Sequence, residues 1–234
     1  MKDVLTICPT RGRPHIIHEM IDSFLDTASE NNALLVYIHT DDPDLPNYKR
    51  LTYKYDFNRI KFLFGPRLHL AEAYNTYATR FHAFDYYAPI NDDHVFLTKG
   101  WDEKLAEIIE TQGKGWGIAG ADDKLTDWTK HKHPSGCLVS GNIVRTLGYM
   151  IYPTIRHIGI DTYFMKLAES INCLFLTKDV VIEHRHWVNG KRTLDANYKW
   201  VYSKEEQSYG MEALQHYLIT QYEFDVRKLK KARA

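Results

Sequence analysis

The sequence has few cysteines, no excess of charge and no long apolar run, and each lack removes a class of protein. Cys8, Cys137 and Cys173 stand far apart in 234 residues. A scattered, odd-numbered set builds no disulfide framework and spaces no ligands for a structural zinc. Lys+Arg and Asp+Glu both number 30, which argues against a protein whose whole surface grips nucleic acid. No apolar stretch approaches the ~20 residues of a membrane-spanning helix. Internal repeats and low-complexity linkers are absent too. The first residues run straight into a strand pattern, without the apolar core of a signal peptide. The expected compartment is the cytoplasm.

What is present is an alternation of strand and helix patterns. Residues 4–8, 33–39 and 60–64 are short apolar runs that read as buried strands. Between them lie stripes at helical spacing. One carries Ile16, Ile17, Met20, Ile21, Phe24 and Leu25; others carry Leu70, Ala73, Tyr74, Tyr77, Ala78 and Phe81, and Trp101, Leu105, Ile108 and Ile109. This rhythm predicts an α/β fold, a mostly parallel sheet with helices on both faces. Further on, residues 117–121 read as a strand, the polar stretch 124–140 as a mobile loop, and 141–149 and 161–168 as helices. Strand material follows at 173–177 and 180–183, then a helical extension from residue 203 to a basic end. Pro89 sits badly in a central strand because it lacks the ladder donor; the strand before it is expected to be short or bulged.

That strand runs into Asn91-Asp92-Asp93-His94. Adjacent carboxylates raise each other's pKa and call for a cation. Hard oxygen ligands suit Mg²⁺ or Mn²⁺, and open α/β sheets bind ligands beyond the carboxyl ends of their strands. A polar turn capping the next helix is the plain alternative.

The order of these features resembles the GT-A fold glycosyltransferases, the family-2-like group in particular. The resemblance covers roughly residues 1–190 and rests on six motifs in sequence. They are Pro9-Thr10-Arg11 after the first strand, Asp41-Asp42 after the second, Ala71-Glu72-Ala73-Tyr74-Asn75 in a helix, and Asp92-Asp93. Ser135-Gly136-Cys137 with Asp161 at a helix start, and Val181-Ile182-Glu183-His184, complete the set. It implies a catalytic domain over 1–195, with a nucleotide-binding half (1–100) and an acceptor half (101–195), and an extension over 196–234 within the same compact unit.

The implied activity is inverting transfer of a sugar from a nucleotide-sugar donor such as a UDP-sugar. Thr10, Arg11, Asp41, Arg67, His69, Asn75 and Asp92 would bind the nucleotide. Asp93 and His184 would hold Mn²⁺ or Mg²⁺, and Asp161 would be the base. Asp122, Asp123 and Trp128 are candidates for the acceptor side. Two departures stand out: Asn91 occupies the place of the first acid of an Asp-x-Asp motif, and Ile160-Asp161 replaces the usual Glu-Asp. The end Glu183-His184-Arg185-His186, followed by Gly190, Asp195 and Tyr198, is similar to small bacterial and phage members, for which the compartment would be the host cytoplasm. The acceptor is open between a glycan, a glycolipid and a hydroxylated base in phage DNA.

Each residue has a plainer reading. Asp161 is well placed as a helix N-cap, Asp41-Asp42-Pro43 as a turn, Arg11 and Arg13 as surface arginines beside a turn. His184 and His186 share a strand face, as a chance pair among twelve histidines would. A metal-dependent hydrolase using Asp92, Asp93, His94, His184 and His186, and a non-catalytic nucleotide- or glycan-binding module, are the competing functions.

Overall fold

The computed structural model describes residues 2–55 and 58–234. The alternation becomes strands β1 (Val4–Thr10), β2 (Asn32–His39), β3 (Ile60–Gly65), β4 (Tyr86–Pro89), β5 (His94–Phe96), β6 (Ile118–Asp122), β7 (Cys137–Ser140) and β8 (Leu174–His184). The helices are α1 (Ile17–Thr27), α2 (Leu45–Thr52), α3 (Leu70–Arg80), α4 (Trp101–Gly113), α5 (Gly141–Leu147), α6 (Ile160–Ser170), α7 (Ala196–Val201), α8 (Lys204–Thr220) and α9 (Tyr222–Arg233).

The sheet order is β3-β2-β1-β4-β7-β6-β8-β5. β1 pairs in parallel with β2 on one side and β4 on the other, and β2–β3 and β6–β8 are parallel too. The chain moves outward from β1 to β3 and then returns to β4, so a crevice opens at the reversal, beyond the carboxyl ends of β1 and β4.

Strand alternation divides the core into two layers. Leu5, Ile7, Leu35 and Tyr37 pack with α3, α5, α6, α8 and α9. Val4, Cys8, Leu34 and Val36 pack with α1, α2 and α4. The expected helical stripes are the buried ones, with Met20, Phe24, Trp101 and Leu105 fully enclosed. Each such side chain contributes roughly 1.5–3 kcal/mol by leaving water. All three cysteines are free and buried. No described helix is long and apolar enough to cross a membrane.

Four details differ from the sequence reading or refine it. α2 and β5 form where no element was expected; β5 is three residues long, too short to show a period. The stretch 124–140 is not loop throughout, because residues 137–140 form β7 in the middle of the sheet, wholly buried. The two pieces of strand near the end are one strand, β8, whose register shifts so that Thr177 and Val181 face successive residues of β6. β4 ends at Pro89. The Ile90 amide donates to Ile7 at 3.0 Å, so the Pro89 nitrogen faces β7, whose pairing with β4 has already stopped at Tyr87.

The C-terminal helices belong to the core: Tyr217 and Leu229 are fully buried. α8 also seats the loop before α6. A Cβ at Gly210 would lie 2.4 Å from the Cβ of Ile158, closer than any real contact. Gly210→Ala is expected to destabilise the protein by about 1–3 kcal/mol, the usual cost of overpacking, in urea unfolding, with unchanged stability counting against this close approach.

Candidate active site beyond β1 and β4

Parallel pairing sets Ile7 opposite Pro89, so the chain leaves β1 and β4 at the same edge. After β1 it turns at Gly12, whose φ of +65° suits glycine. Asp42 holds this turn by accepting from the Gly12 amide at 2.7 Å. The turn sends Arg13 inward, where its side chain is only 7% exposed. Arg13 Nη1 donates to Asp92 Oδ1 at 2.8 Å and lies 3.5 Å from Asp93 Oδ2. Its Nε and Nη2 donate to the two oxygens of Asp195 at 2.7 and 3.1 Å. The guanidinium also lies 4.1 Å from the centre of the Tyr198 ring.

Asp92 is fully engaged. The Arg13 amide donates to the Tyr48 hydroxyl at 2.8 Å, the Tyr48 and Thr10 hydroxyls are 2.8 Å apart, and Thr10 Oγ1 donates to Asp92 Oδ2 at 2.7 Å. With Thr10 donating to Asp92, the Tyr48 proton goes to Thr10, and each bond polarises the next. Burial pushes the Asp92 carboxyl above its ordinary range, against the pull of Arg13.

Asp93 is engaged on one side only. The Tyr198 hydroxyl donates to Oδ2 at 2.5 Å. Oδ1 is buried with no hydrogen-bond partner; the nearest groups are His184 Nε2 at 3.3 Å and His94 Nδ1 at 3.8 Å, placed as ion-pair contacts. The two histidines meet because β5 runs antiparallel to β8 with His94 directly opposite His184, and their rings stack at 4.4 Å. Burial opposes the Asp93 charge, but the His184 and His94 rings and Arg13 outweigh it and hold the carboxyl far below the usual range. Burial, then His184, lowers His94 to about 4. His184 is raised, because Asp93 outweighs its burial.

A buried acceptor without a donor needs an explanation. Asp93, His94 and His184 offer one ligand atom each within 4.8 Å of one another. One carboxylate oxygen and two imidazole nitrogens are a donor set for a divalent transition ion. His94 Nδ1 accepts from the Asn91 amide at 3.2 Å and its Nε2 lies 3.4 Å from the Ser135 hydroxyl, so a metal would compete with these hydrogen bonds and with protons for the imidazole nitrogens. The residues therefore fit a divalent cation.

These groups line one cavity of about 620 Å³. Asp161 faces it from the start of α6. The cap position of that helix is Gly159, at φ +96°, and no side chain caps it. Asp161 thus makes no capping bond; its carboxyl is open to the cavity, and the surrounding protein raises its pKa by desolvation. His133 Nε2 lies 3.3 Å from the neighbouring Thr162 hydroxyl.

No family model and no curated protein matches the chain. Solved structures do. A mannosyltransferase from Pyrobaculum calidifontis, in complex with GDP-Man and Mn²⁺, superposes with a TM-score of 0.64 at 12% identity, over 99% of this chain and 76% of that one. Residues 1–349 of TarS from S. aureus, in complex with UDP-GlcNAc, superpose with a TM-score of 0.59 at 12% identity, over 95% and 73%. This chain has the GT-A glycosyltransferase fold.

Within the GT-A fold, Thr10, Arg11, Arg67, His69, Asp92, Asp93, Asp161 and His184 all line the cavity. Asp41 stands just outside and reaches it through Arg11, whose Nη1 donates to it at 2.5 Å. Four sequence candidates lie elsewhere. Asn75 spends its amide on the chain after α5, accepting from the Met150 and Ile151 amides and donating to the Ile151 carbonyl. Asp122 pairs with Lys124. Asp123 is buried and accepts from Leu125 and from Thr126. Trp128 donates to the His133 carbonyl at 3.3 Å. Asp122, Asp123 and Trp128 hold local turns and Asn75 ties α3 to the chain after α5; none of the four is in the cavity lining.

Three residues take larger parts than their sequence pattern suggested. Arg13 is a buried hub, His94 a third candidate ligand, and Tyr198 the partner of Asp93. In the sequence Arg13 is marked only as an arginine three residues past β1, while His94 stands beside the acid pair and Tyr198 three residues after Asp195. Removing the hub strands three carboxylates. Arg13→Met is expected to cost about 3–5 kcal/mol, as for breaking a buried ion pair from one side, in chemical denaturation; a loss below 1 kcal/mol would show that solvent, not Arg13, satisfies the acids.

Proposed function

We propose that the protein is a metal-dependent glycosyltransferase, moving a sugar from a nucleoside-diphosphate sugar to an acceptor hydroxyl with inversion at the anomeric carbon. The observation that carries this reading is the unsatisfied Asp93 Oδ1 facing His94 and His184, at the ligand-binding edge of a glycosyltransferase fold. Both solved relatives are complexes with nucleotide sugars, one of them with Mn²⁺.

On this reading Thr10, Arg11 and Asp41 meet the base and ribose, Asp92 the ribose, and Arg67 and His69 the diphosphate. Asp93, His184 and His94 hold Mn²⁺ or Mg²⁺, which when bound neutralises charge on the leaving diphosphate. The acceptor oxygen attacks the anomeric carbon as the bond from that carbon to the phosphate oxygen breaks. The nucleoside diphosphate leaves with the bonding pair, and the hydroxyl proton passes to Asp161. The raised pKa of Asp161 makes it a stronger base at the moment of attack. A single base opposite the leaving group gives inversion. Residues 1–100 then serve the donor and 101–195 the acceptor, but Asp195 and Tyr198 reach back from the boundary of the extension to the donor side. A two-metal hydrolase needs a second ligand cluster; the described residues hold one.

Thermal unfolding with UDP, GDP and other nucleoside diphosphates, with and without Mn²⁺, tests the reading. A rise in Tm that requires both nucleotide and metal is expected, since a native-state ligand at a hundredfold excess over Kd adds ~2.7 kcal/mol. No response to any pair would overturn it. Asp93→Ala should abolish the metal-dependent rise. Asp161→Asn should keep it while lowering turnover ~10²–10⁴-fold; transfer at the normal rate would remove Asp161 from the mechanism.

A further inference from the structure

A second cavity, of about 520 Å³, adjoins the first and shares with it Arg67, Leu68, His69 and Trp200. Beyond that shared wall it is lined by Arg156, Ser203, Glu205 and Glu206. Its chemistry is unusual in three respects.

First, it holds two guanidinium groups with no carboxylate partner. Arg67 lies 5.6 Å from the centre of the Trp200 ring, and Arg156 packs 3.8 Å from that of Tyr209. Among the described residues neither has an acid within 4.0 Å, although Glu205 and Glu206 line the same space. Aromatic faces hold both guanidiniums in place while their N–H groups stay unspent, an arrangement suited to bidentate capture of an anionic group. Second, Glu206 is 6% exposed, and its Oε1 is buried without any hydrogen-bond partner. A buried carboxylate oxygen is costly to leave bare, so it is an acceptor waiting for a donor such as a hydroxyl. Third, Trp200 remains 37% exposed, offering apolar surface between the two cavities.

An anion, a hydroxyl and an apolar face occur together in a sugar that carries a charged group. We infer that the second cavity is a subsite for an anionic carbohydrate, a phosphorylated or carboxylated portion of the acceptor, which enters the main cavity across Trp200. Glu206 accepts from a sugar hydroxyl, Arg156 binds the charged group, and Trp200 carries the ring, while Arg67 at the shared wall serves the donor diphosphate. This subsite rests on the transferase reading only for its role as acceptor; binding itself can be tested without donor or metal.

Calorimetric titration of the full chain with glucose 1-phosphate, glucuronate and methyl glucoside, in the absence of nucleotide and metal, provides the test. At least one charged sugar should bind about tenfold or more tightly than the neutral glycoside, the scale of a hydrogen bond to a charged group. Whichever of the two binds more tightly identifies phosphate or carboxylate as the group recognised. Arg156→Gln should remove that preference and leave nucleotide- and metal-dependent stabilisation intact. Glu206→Gln should weaken the sugar phosphate or glucuronate but not inorganic phosphate. Equal affinity for charged and neutral sugars, or full retention of the preference in Arg156→Gln, would overturn the subsite. Failure of nucleotide binding with the sugar preference preserved would overturn the transferase reading and leave the subsite standing.

Discussion

The site depends on one buried cation. Arg13 meets Asp92, Asp93 and Asp195 at once, joining the adjacent pair after β4 to an acid about 100 residues further on. Three carboxylates could not share so small and dry a space unaided, because like charges disfavour one another's ionisation and burial adds to the cost. Arg13 offsets part of that charge and fixes the geometry of the rest. Asp92 becomes saturated with donors; Asp93 is held through one oxygen by Tyr198, and its other oxygen makes no hydrogen bond and faces His184 at 3.3 Å and His94 at 3.8 Å. The acids still outnumber the permanent cations, which is the electrostatic condition for taking up a divalent ion.

The fold brings these pieces together by two devices. Reversal of strand order around β1 opens the crevice into which the loops after β1 and β4 both lead. β8 supplies the second: its first part pairs with β6 in the main sheet, its last with β5. That change of partner carries His184 out of the sheet body and sets it against His94. On the far wall, α8 presses Gly210 against Ile158 and so fixes the entry to α6 that bears Asp161. The C-terminal helices are therefore tied to the active cavity as well as to the core.

Much of this could be read from particular residues. The Ile17, Met20, Phe24 stripe and the Val4, Cys8 and Val36 alternation had the periods of the helix and strands they form, because one buried face imposes a period on the sequence. Asp92-Asp93 was conspicuous as two acids at the end of an apolar run. β5 carried no such signal: three residues show no period, so His94 was read as part of a turn or, with His184, as a ligand of the alternative hydrolase, and its place directly opposite His184 was not visible. β7 was hidden inside a polar stretch because Cys137, Leu138, Val139 and Ser140 are too few to stand out from it. Asn75, Asp122, Asp123 and Trp128 had the right residue types in the right order, but their polar groups are consumed by nearby backbone.

The sequence by itself determined the α/β layering, the GT-A resemblance and the acidic turn, since hydrophobic period and local turn chemistry are written in neighbouring residues. Only the tertiary structure decided which polar side chains are free. Whether a carboxylate is spent on a local amide, neutralised by Arg13 or left open to a ligand depends on groups up to 182 residues away. Long-range pairing and desolvation set that outcome, and neither leaves a mark on local sequence.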